Sequence, residues 1–172
     1  MERALIINQN GSIKSISEKE IDIASYIQRS IFNTMDSKHW YAPLRWAEFL
    51  TPIKGTDGTY LLVYQGEIIG LFVLTCNIPD VLSEYKLSSS NYMLIDSVMI
   101  KEGYRGHGLQ RQILKFVYDR AIDLKMNGLV STVHPDNKYS LNNFILEDYK
   151  ILHKLIIHGG IRNVMIKSID NI

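Results

Sequence analysis

The sequence predicts one mixed α/β domain, a central sheet of about seven strands flanked by about four helices. Three observations carry this expectation. Runs of β-branched and aromatic residues alternate with segments whose apolar residues return every three or four positions. A buried-type strand, a glycine turn and a long amphipathic segment follow one another between Tyr92 and Leu124. No repeat, linker or low-complexity block interrupts the 172 residues, so positions 1–172 read as a single domain.

The elements follow in order. Ala4–Asn8 is a short apolar run ahead of the turn pair Asn10-Gly11 and reads as a first strand. Ser17-Glu18-Lys19-Glu20 fits a capping box, in which hydroxyl and carboxylate each satisfy an orphan amide. Ile23, Ile27 and Ile31 recur behind it, so a helix is expected from Ser17 to Phe32. Pro43 opens a short second helix around Leu44–Leu50. Tyr60–Tyr64 and Glu67–Asn77 form a hairpin about Gln65-Gly66. Ile78–Asn91 reads as a loop, and Tyr92–Ile100 is apolar enough for a strand covered on both faces.

Leu109, Ile113, Phe116, Val117, Ala121 and Leu124 then mark one stripe of a helix, which Asn127-Gly128 is expected to close. Leu129–Val133 is the next strand, and Pro135 ends it. A short helix from Asn137 to Glu147 turns Leu141, Phe144 and Ile145 inward. Tyr149–Ile157 and Ile161–Lys167 make a final hairpin around His158-Gly159-Gly160.

Composition excludes several classes. Lys and Arg number 19 against 18 Asp and Glu, a formal charge of +1, so no global field favours nucleic acid or an anionic membrane. The longest apolar stretch, Ile68–Cys76, is about half a membrane span. The N-terminal residues turn polar too soon for a signal peptide. Cys76 is the one cysteine, so an internal disulfide is impossible and a reducing cytoplasm fits. His153 and His158 near the last turn have no evident cysteine or carboxylate partner, and no metal is expected.

The chemistry concentrates after Ile100, in Lys101-Glu102-Gly103-Tyr104-Arg105-Gly106-His107-Gly108-Leu109-Gln110. Gly106 and Gly108 let the backbone turn tightly and approach a ligand. The helix behind them aims free N–H groups and the positive end of its dipole into that turn. Phosphate suits such a site, and Arg105, Arg111 and Lys115 add positive charge. A dinucleotide fingerprint fails because Arg111 stands where its third glycine belongs, and a Walker loop fails for want of Gly-Lys-Ser/Thr.

Arg105-Gly106-His107-Gly108-Leu109-Gln110 resembles the Arg/Gln-x-x-Gly-x-Gly/Ala signature of the GNAT acetyltransferase superfamily, departing from it at Gln110. Ile95, Val98 and Ile100 match the hydrophobic positions of that family's fourth strand. Downstream, Asn137-x-x-Ser140-x-x-x-Phe144-x-x-x-Asp148-Tyr149 resembles its Asn-x-x-Ala-x-x-x-Tyr-x-x-x-Gly-Phe/Tyr segment. There Phe144 replaces a tyrosine that serves many members as general acid, and Asp148 replaces a glycine.

The resemblance implies a GNAT fold and a site for acetyl-CoA where the fourth and fifth strands splay apart. Backbone groups of Val98, Met99 and Ile100 would pair with the pantetheine arm like an added strand, one amide polarising the thioester carbonyl. The amides of His107, Gly108, Leu109 and Gln110 would hold the pyrophosphate, and Asn137, Ser140 and Asn143 would face the arm from the other wall. An amine acceptor would attack directly, with Asp96 or His134 as candidate base. Trp40, Tyr41 and Trp46 lie in the segment that lines the acceptor site in this fold. Homodimerisation through the C-terminal hairpin is also implied. The departures at Gln110 and Phe144 leave room for a second reading, a module that binds acyl-CoA without turnover.

Overall fold

Glu20 closes the first turn as its spacing requires. Its carboxylate accepts from both the backbone N–H and the hydroxyl of Ser17, each at 3.0 Å. The computed structural model, which describes residues 11–53, 58–76, 78–83, 87 and 92–169, continues from this cap through a 3-10 turn, Glu18–Glu20, into helix α1, Ile21–Asn33. The expected strand Ala4–Asn8 lies outside the described residues. The first described strand is β1, Gly11–Ser15.

The remaining elements are α2 Trp46–Ile53, β2 Gly58–Tyr64, β3 Glu67–Thr75, the single turn α3 Asp80–Ser83, β4 Tyr92–Ile100, α4 Leu109–Asp123, β5 Gly128–Val133, α5 Lys138–Leu146, β6 Lys150–Ile157 and β7 Gly160–Ser168. All seven strands form one sheet in the order β1-β2-β3-β4-β5-β7-β6. Only β4 and β5 pair in parallel, and α4 supplies their crossover. Both hairpins turn on two left-handed residues, Gln65-Gly66 and His158-Gly159, the form that matches strand twist.

Each face of the sheet is covered, which explains the unbroken apolar runs of β3 and β4. Phe72, Leu74, Met93 and Ile95 pack beneath Ile113 and Val117 of α4 and Phe144 of α5. Leu71, Val73 and Met99 pack on the other face against Ile21, Ala24, Ile27 and Ile31 of α1 and Phe49 of α2. Truncating a buried residue such as Ile27 to alanine would cost about 2–5 kcal/mol. A smaller cluster, Leu82, Leu94, Val130 and Val164, continues the second face beyond β4.

Three local expectations are corrected. Ile23 is 40% exposed; the buried stripe of α1 runs through Ile21, Ala24, Ile27 and Ile31, at the angular spacing of a 3.6-residue turn. Ile145 is 50% exposed, and Phe144 alone of α5 is fully buried. Helix α4 is closed by Lys125 in the left-handed conformation, with Met126 N–H bonded to the Ala121 carbonyl at 2.9 Å, and not by Asn127-Gly128. Gly128 instead opens β5, where an added Cβ would come within 2.6 Å of the Lys167 carbonyl oxygen.

Candidate functional site

Strands β4 and β5 pair only from Tyr92↔Gly128 to Ile95↔Ser131. Beyond that point β4 stays with β3 as far as Ile100↔Gly70, while β5 follows β7 as far as Val133↔Asn163. The sheet therefore opens into a wedge whose one side is the β4 backbone from Asp96 to Ile100. Ser131, buried, closes its apex by donating its hydroxyl to the Ile95 carbonyl at 2.9 Å. At the mouth, Arg105 Nε donates to the Ile100 carbonyl at 2.9 Å.

A register shift falls at the same place. Leu74 pairs with Ile95 and Val73 with Ser97, so Asp96 is the extra residue of a β-bulge. Ordinary alternation would send Asp96 and Ser97 to opposite faces. The bulge turns both toward the α1–α2 side, where Asp96 lines a cleft and Ser97 lies 3.1 Å from the Tyr41 hydroxyl.

The glycine turn is built as its sequence requires. Gly106 has φ 79° and Gly108 φ 72°, both left-handed, with open space where side chains would be. Gly108 caps α4, whose first internal bond runs from Gln112 N–H to the Gly108 carbonyl at 3.1 Å. The amides of Leu109, Gln110 and Arg111 consequently have no partner inside the helix. Exposed Arg105, His107 and Lys115 surround them. The His107 ring holds the Arg105 carbonyl through Nδ1 at 2.9 Å. Arg111 is turned elsewhere: its guanidinium bonds Glu147 at 2.7 Å and ties α4 to the end of α5.

On the facing wall, the Asn137 side chain caps α5 by accepting from Ser140 N–H at 3.1 Å. Gln110 Nε2 donates to Ser140 Oγ at 2.7 Å, and Asn143 Nδ2 donates to Gln110 Oε1 at 2.9 Å. Gln110 thus clasps the two helices with both ends of its amide. Phe144 lies buried edge-on to Tyr149, ring centroids 4.9 Å apart. Burial pushes the Tyr149 phenol well above its usual range, and its hydroxyl has no hydrogen-bond partner among the described residues. Tyr104 donates to Glu67 at 2.9 Å, and Tyr139 is exposed.

The cleft beside the bulge measures about 210 Å³ and is lined in part by Trp40, Tyr41, Glu48, Asp96, His158 and Arg162. Its loop is anchored by buried Gln28, which accepts from Leu44 N–H and donates to the Leu44 carbonyl, each at 2.8 Å. The Tyr41 hydroxyl donates to the same Gln28 oxygen at 2.9 Å. Burial first, then the negative charge of Glu48, push the Asp96 carboxyl up to about 6. Glu48 is partly desolvated too, but the Arg45 backbone N–H at 2.6 Å and its guanidinium outweigh this and hold the carboxyl below its usual range. Desolvation, helped by Arg162, lowers both His134 and His158.

The structure separates some residues that the sequence placed together. Trp40 and Tyr41 line the cleft; Trp46 lies outside it, on α2, with its indole N–H donating to Asp22 at 3.1 Å. His134 ends β5 with Nδ1 accepting from the Asp136 N–H at 3.1 Å and does not line the cleft. The rings of His39 and His134 meet edge-on at 4.9 Å, and with Asp136 they bring candidate ligand atoms within 4.8 Å of one another. Desolvation first, then the charge of Arg162, depress the His134 pKa despite Asp136, which opposes a cation there. Sequence reasoning passed over Glu48, Ser131 and Arg162 because each is a common residue type whose role depends on distant neighbours.

The seven-stranded mixed sheet thus opens with a glycine turn on one side and a charged cleft on the other. A family model described as the acetyltransferase (GNAT) family matches residues 24–144, and the chain belongs to that family. No curated protein matches it by sequence. Among solved structures it is similar to an N-acetyltransferase from Staphylococcus aureus Mu50, with 15% identity, TM-score 0.71, and 93% of this chain and 99% of that one covered. It is similar to yncA of Salmonella typhimurium, described with its cofactor acetyl-CoA, at 12% identity, TM-score 0.71, and 95% and 96% coverage. AAC(6')-Ib in complex with ribostamycin and coenzyme A aligns at 13% identity, TM-score 0.70, and 93% and 94% coverage. At these identities the likeness establishes the shared fold.

Proposed function

We propose that the protein is an acyl-CoA-dependent N-acyltransferase that carries acetyl from acetyl-CoA to a primary amine of a small molecule or peptide by direct attack. The observation that carries this reading is the meeting of wedge and cleft at Asp96. A thioester laid along β4 and an amine held in the cleft would come together at the bulge.

In this reading the β4 backbone at Val98, Met99 and Ile100 pairs with the pantetheine arm, and an amide there polarises the thioester carbonyl. Amides of the turn from His107 to Gln110 hold the pyrophosphate, with Arg105 and Lys115 beside it. Asn137, Ser140 and Asn143 form the opposing wall, where Gln110 keeps the two helices in register. The acceptor arrives as an ammonium with a pKa near ~10, so a proton must leave before nitrogen can attack. Asp96 serves as base: it lines the cleft, whereas His134 does not. With a carboxyl near 6 it is largely ionised at neutral pH yet more basic than a solvated aspartate. Nitrogen adds to the carbonyl carbon and gives its second proton to solvent, the carbon–sulfur bond breaks as the amide forms, and the thiolate leaves. Phe144 offers no proton, and none is required, since a free thiol has a pKa near ~8.5.

No described helix is long and apolar enough to cross a membrane. A cytoplasmic location goes with this reading and with a single thiol. The outer strand β6, with Ile151, Leu152 and Ile156 exposed, is the surface we assign to self-association.

Calorimetric titration with acetyl-CoA, beside Gly108→Trp, tests the donor site. The intact protein should bind at micromolar Kd, about −8 kcal/mol, and the variant should not, while both melt cooperatively. Thiol release with an amine panel then tests turnover. Buried Phe144 favours one alternative, a binding module without catalysis. Binding without turnover on any amine would select that alternative, and failure to bind would remove both.

A further inference from the structure

We propose that the acceptor is a small aminocarboxylic acid whose carboxylate is bound by Arg162 while its amine faces Asp96 and Glu48. This assignment rests on the N-acyltransferase reading and narrows its substrate class.

The first ground is an uncompensated charge. Arg162 is only 5% exposed. Its guanidinium donates to two neutral carbonyls, Ile161 at 3.0 Å and His39 at 3.1 Å. A guanidinium has five N–H donors, so about three remain. No carboxylate pairs with Arg162 among the described residues, and burial lowers its pKa. Burying most of a cation without a counter-ion is costly, and Arg162 lines the open cleft, where a ligand carboxylate would supply the partner. The bond to His39 gives Arg162 a structural task as well, holding the 3-10 turn Lys38–Trp40 against β7. That task uses one donor and needs no charge.

The second ground is where Arg162 sits. Leu94, Val130 and Ile166 are register partners across β4, β5 and β7 and belong to one apolar cluster on the cleft side of the sheet. Two residues further along, on the same face, come Asp96, Thr132 and Val164, with Thr132 and Val164 directly paired. Arg162 follows Val164 by the same two-residue step. The cleft therefore carries acid at its β4 side and base at its β7 side, with Leu94 and Thr132 on the floor between them. Glu48 from α2 joins the acidic side, and His158 lines the same cleft. This polarity matches a zwitterion and not a simple amine, which would leave Arg162 unanswered.

Size is the third ground. A cleft of about 210 Å³ lies below the ~300–1,000 Å³ of sites that enclose drug-sized ligands. It suits an amino acid or an ω-amino acid.

The test uses the full chain with saturating acetyl-CoA. Thiol release is followed with the standard α-amino acids, β-alanine and 4-aminobutyrate, each beside its methyl ester. At least one acid should exceed its ester about tenfold or more in kcat/KM, the scale of one charge-assisted pair. Arg162→Gln should lower that acid-to-ester ratio at least about tenfold, chiefly through KM, and Arg162→Lys should restore part of it. Esters turned over as well as acids by the intact protein would overturn the carboxylate site and leave the transferase standing. An unchanged ratio in Arg162→Gln would assign Arg162 to the His39 tether alone. The same compounds are titrated calorimetrically into the acetyl-CoA complex. Acid binding that needs Arg162, without thiol release from any compound, would keep the site and remove the transferase reading. Neither binding nor turnover with any acid would overturn the proposal.

Discussion

The Ser131 hydroxyl donates to the Ile95 carbonyl across the last register pair that joins β4 to β5. This side chain does what the next backbone amide would do if the strands stayed together. It satisfies a buried acceptor at the point where the sheet opens, so the wedge begins without an orphaned carbonyl.

Replacement of Ser131 by alanine leaves that acceptor unpaired in a buried position. Unfolding free energy should fall by about 1–3 kcal/mol, measured by urea denaturation. Acetyl-CoA affinity should fall with it, since the wedge loses the tie that sets its apex. A loss of stability below about 0.5 kcal/mol would mean that another group takes the carbonyl.

Asp96→Asn should lower kcat/KM by about 10²–10⁴-fold, the usual contribution of a positioned base. In the native protein activity should rise as pH climbs through about 6, as the carboxyl loses its proton, and that limb should vanish in the variant. Stability should move the other way. The folded pKa lies above the unfolded value, so Asp96 contributes its stability when protonated, fully below pH ~4, and loses it as pH rises through about 6. At pH 7–8 the uncharged asparagine should therefore raise folding stability, by on the order of 1–3 kcal/mol. An activity-poor variant that is also less stable at pH 8 would point to structural damage.

Gln28→Ala removes the two-way bond to the Leu44 backbone and the acceptor for Tyr41, leaving polar groups of the cleft loop unpaired. A stability loss of about 1–3 kcal/mol is expected, with a higher acceptor KM and unchanged acetyl-CoA binding. A normal KM would show that the loop holds its shape without this anchor.

Gln110 breaks the family signature, and on sequence grounds its bulk would crowd a pyrophosphate. In the structure its amide is committed to Ser140 and Asn143. Gln110→Ala removes both bonds and should cost about 1–3 kcal/mol of stability, at ~0.5–1.5 kcal/mol each, and leave the acetyl-CoA Kd nearly unchanged. Binding tightened tenfold or more would restore the crowding argument.

Ile156 is 81% exposed on the outer strand β6. Sedimentation of the native protein should detect self-association, and Ile156→Lys should return it to monomer, because a charge on an edge strand opposes pairing. A monomeric native protein would remove the assignment.

Much of this protein was legible in order along the chain. The alternation of elements, both hairpins and the span of β4 follow from local pattern, since strand and helix periods and turn chemistry act over a few residues; the last turn was read one residue too long, Gly160 already belonging to β7. The glycine turn was legible for the same reason: the backbone at Gly106 and Gly108 requires left-handed φ, and the residue type announces it. The helix closure at Lys125 was not, because a non-glycine residue can take that conformation when the neighbouring bonds repay it.

The sequence by itself determined the fold class, the family and the glycine turn ahead of α4, each written in residues close together in the chain. Tertiary structure alone decided which side chains share the cleft beside the bulge. Asp96 faces it two residues on from Leu94, and one extra residue in β4 sets Ser97 beside it on the same face. Arg162 reaches it from β7, while Trp46, six residues from Trp40, does not. These placements depend on strand register and on the packing of α1 and α2, which sum many weak contacts between residues far apart in the chain. No local pattern encodes such a sum, and the chemistry of the cleft depends on it.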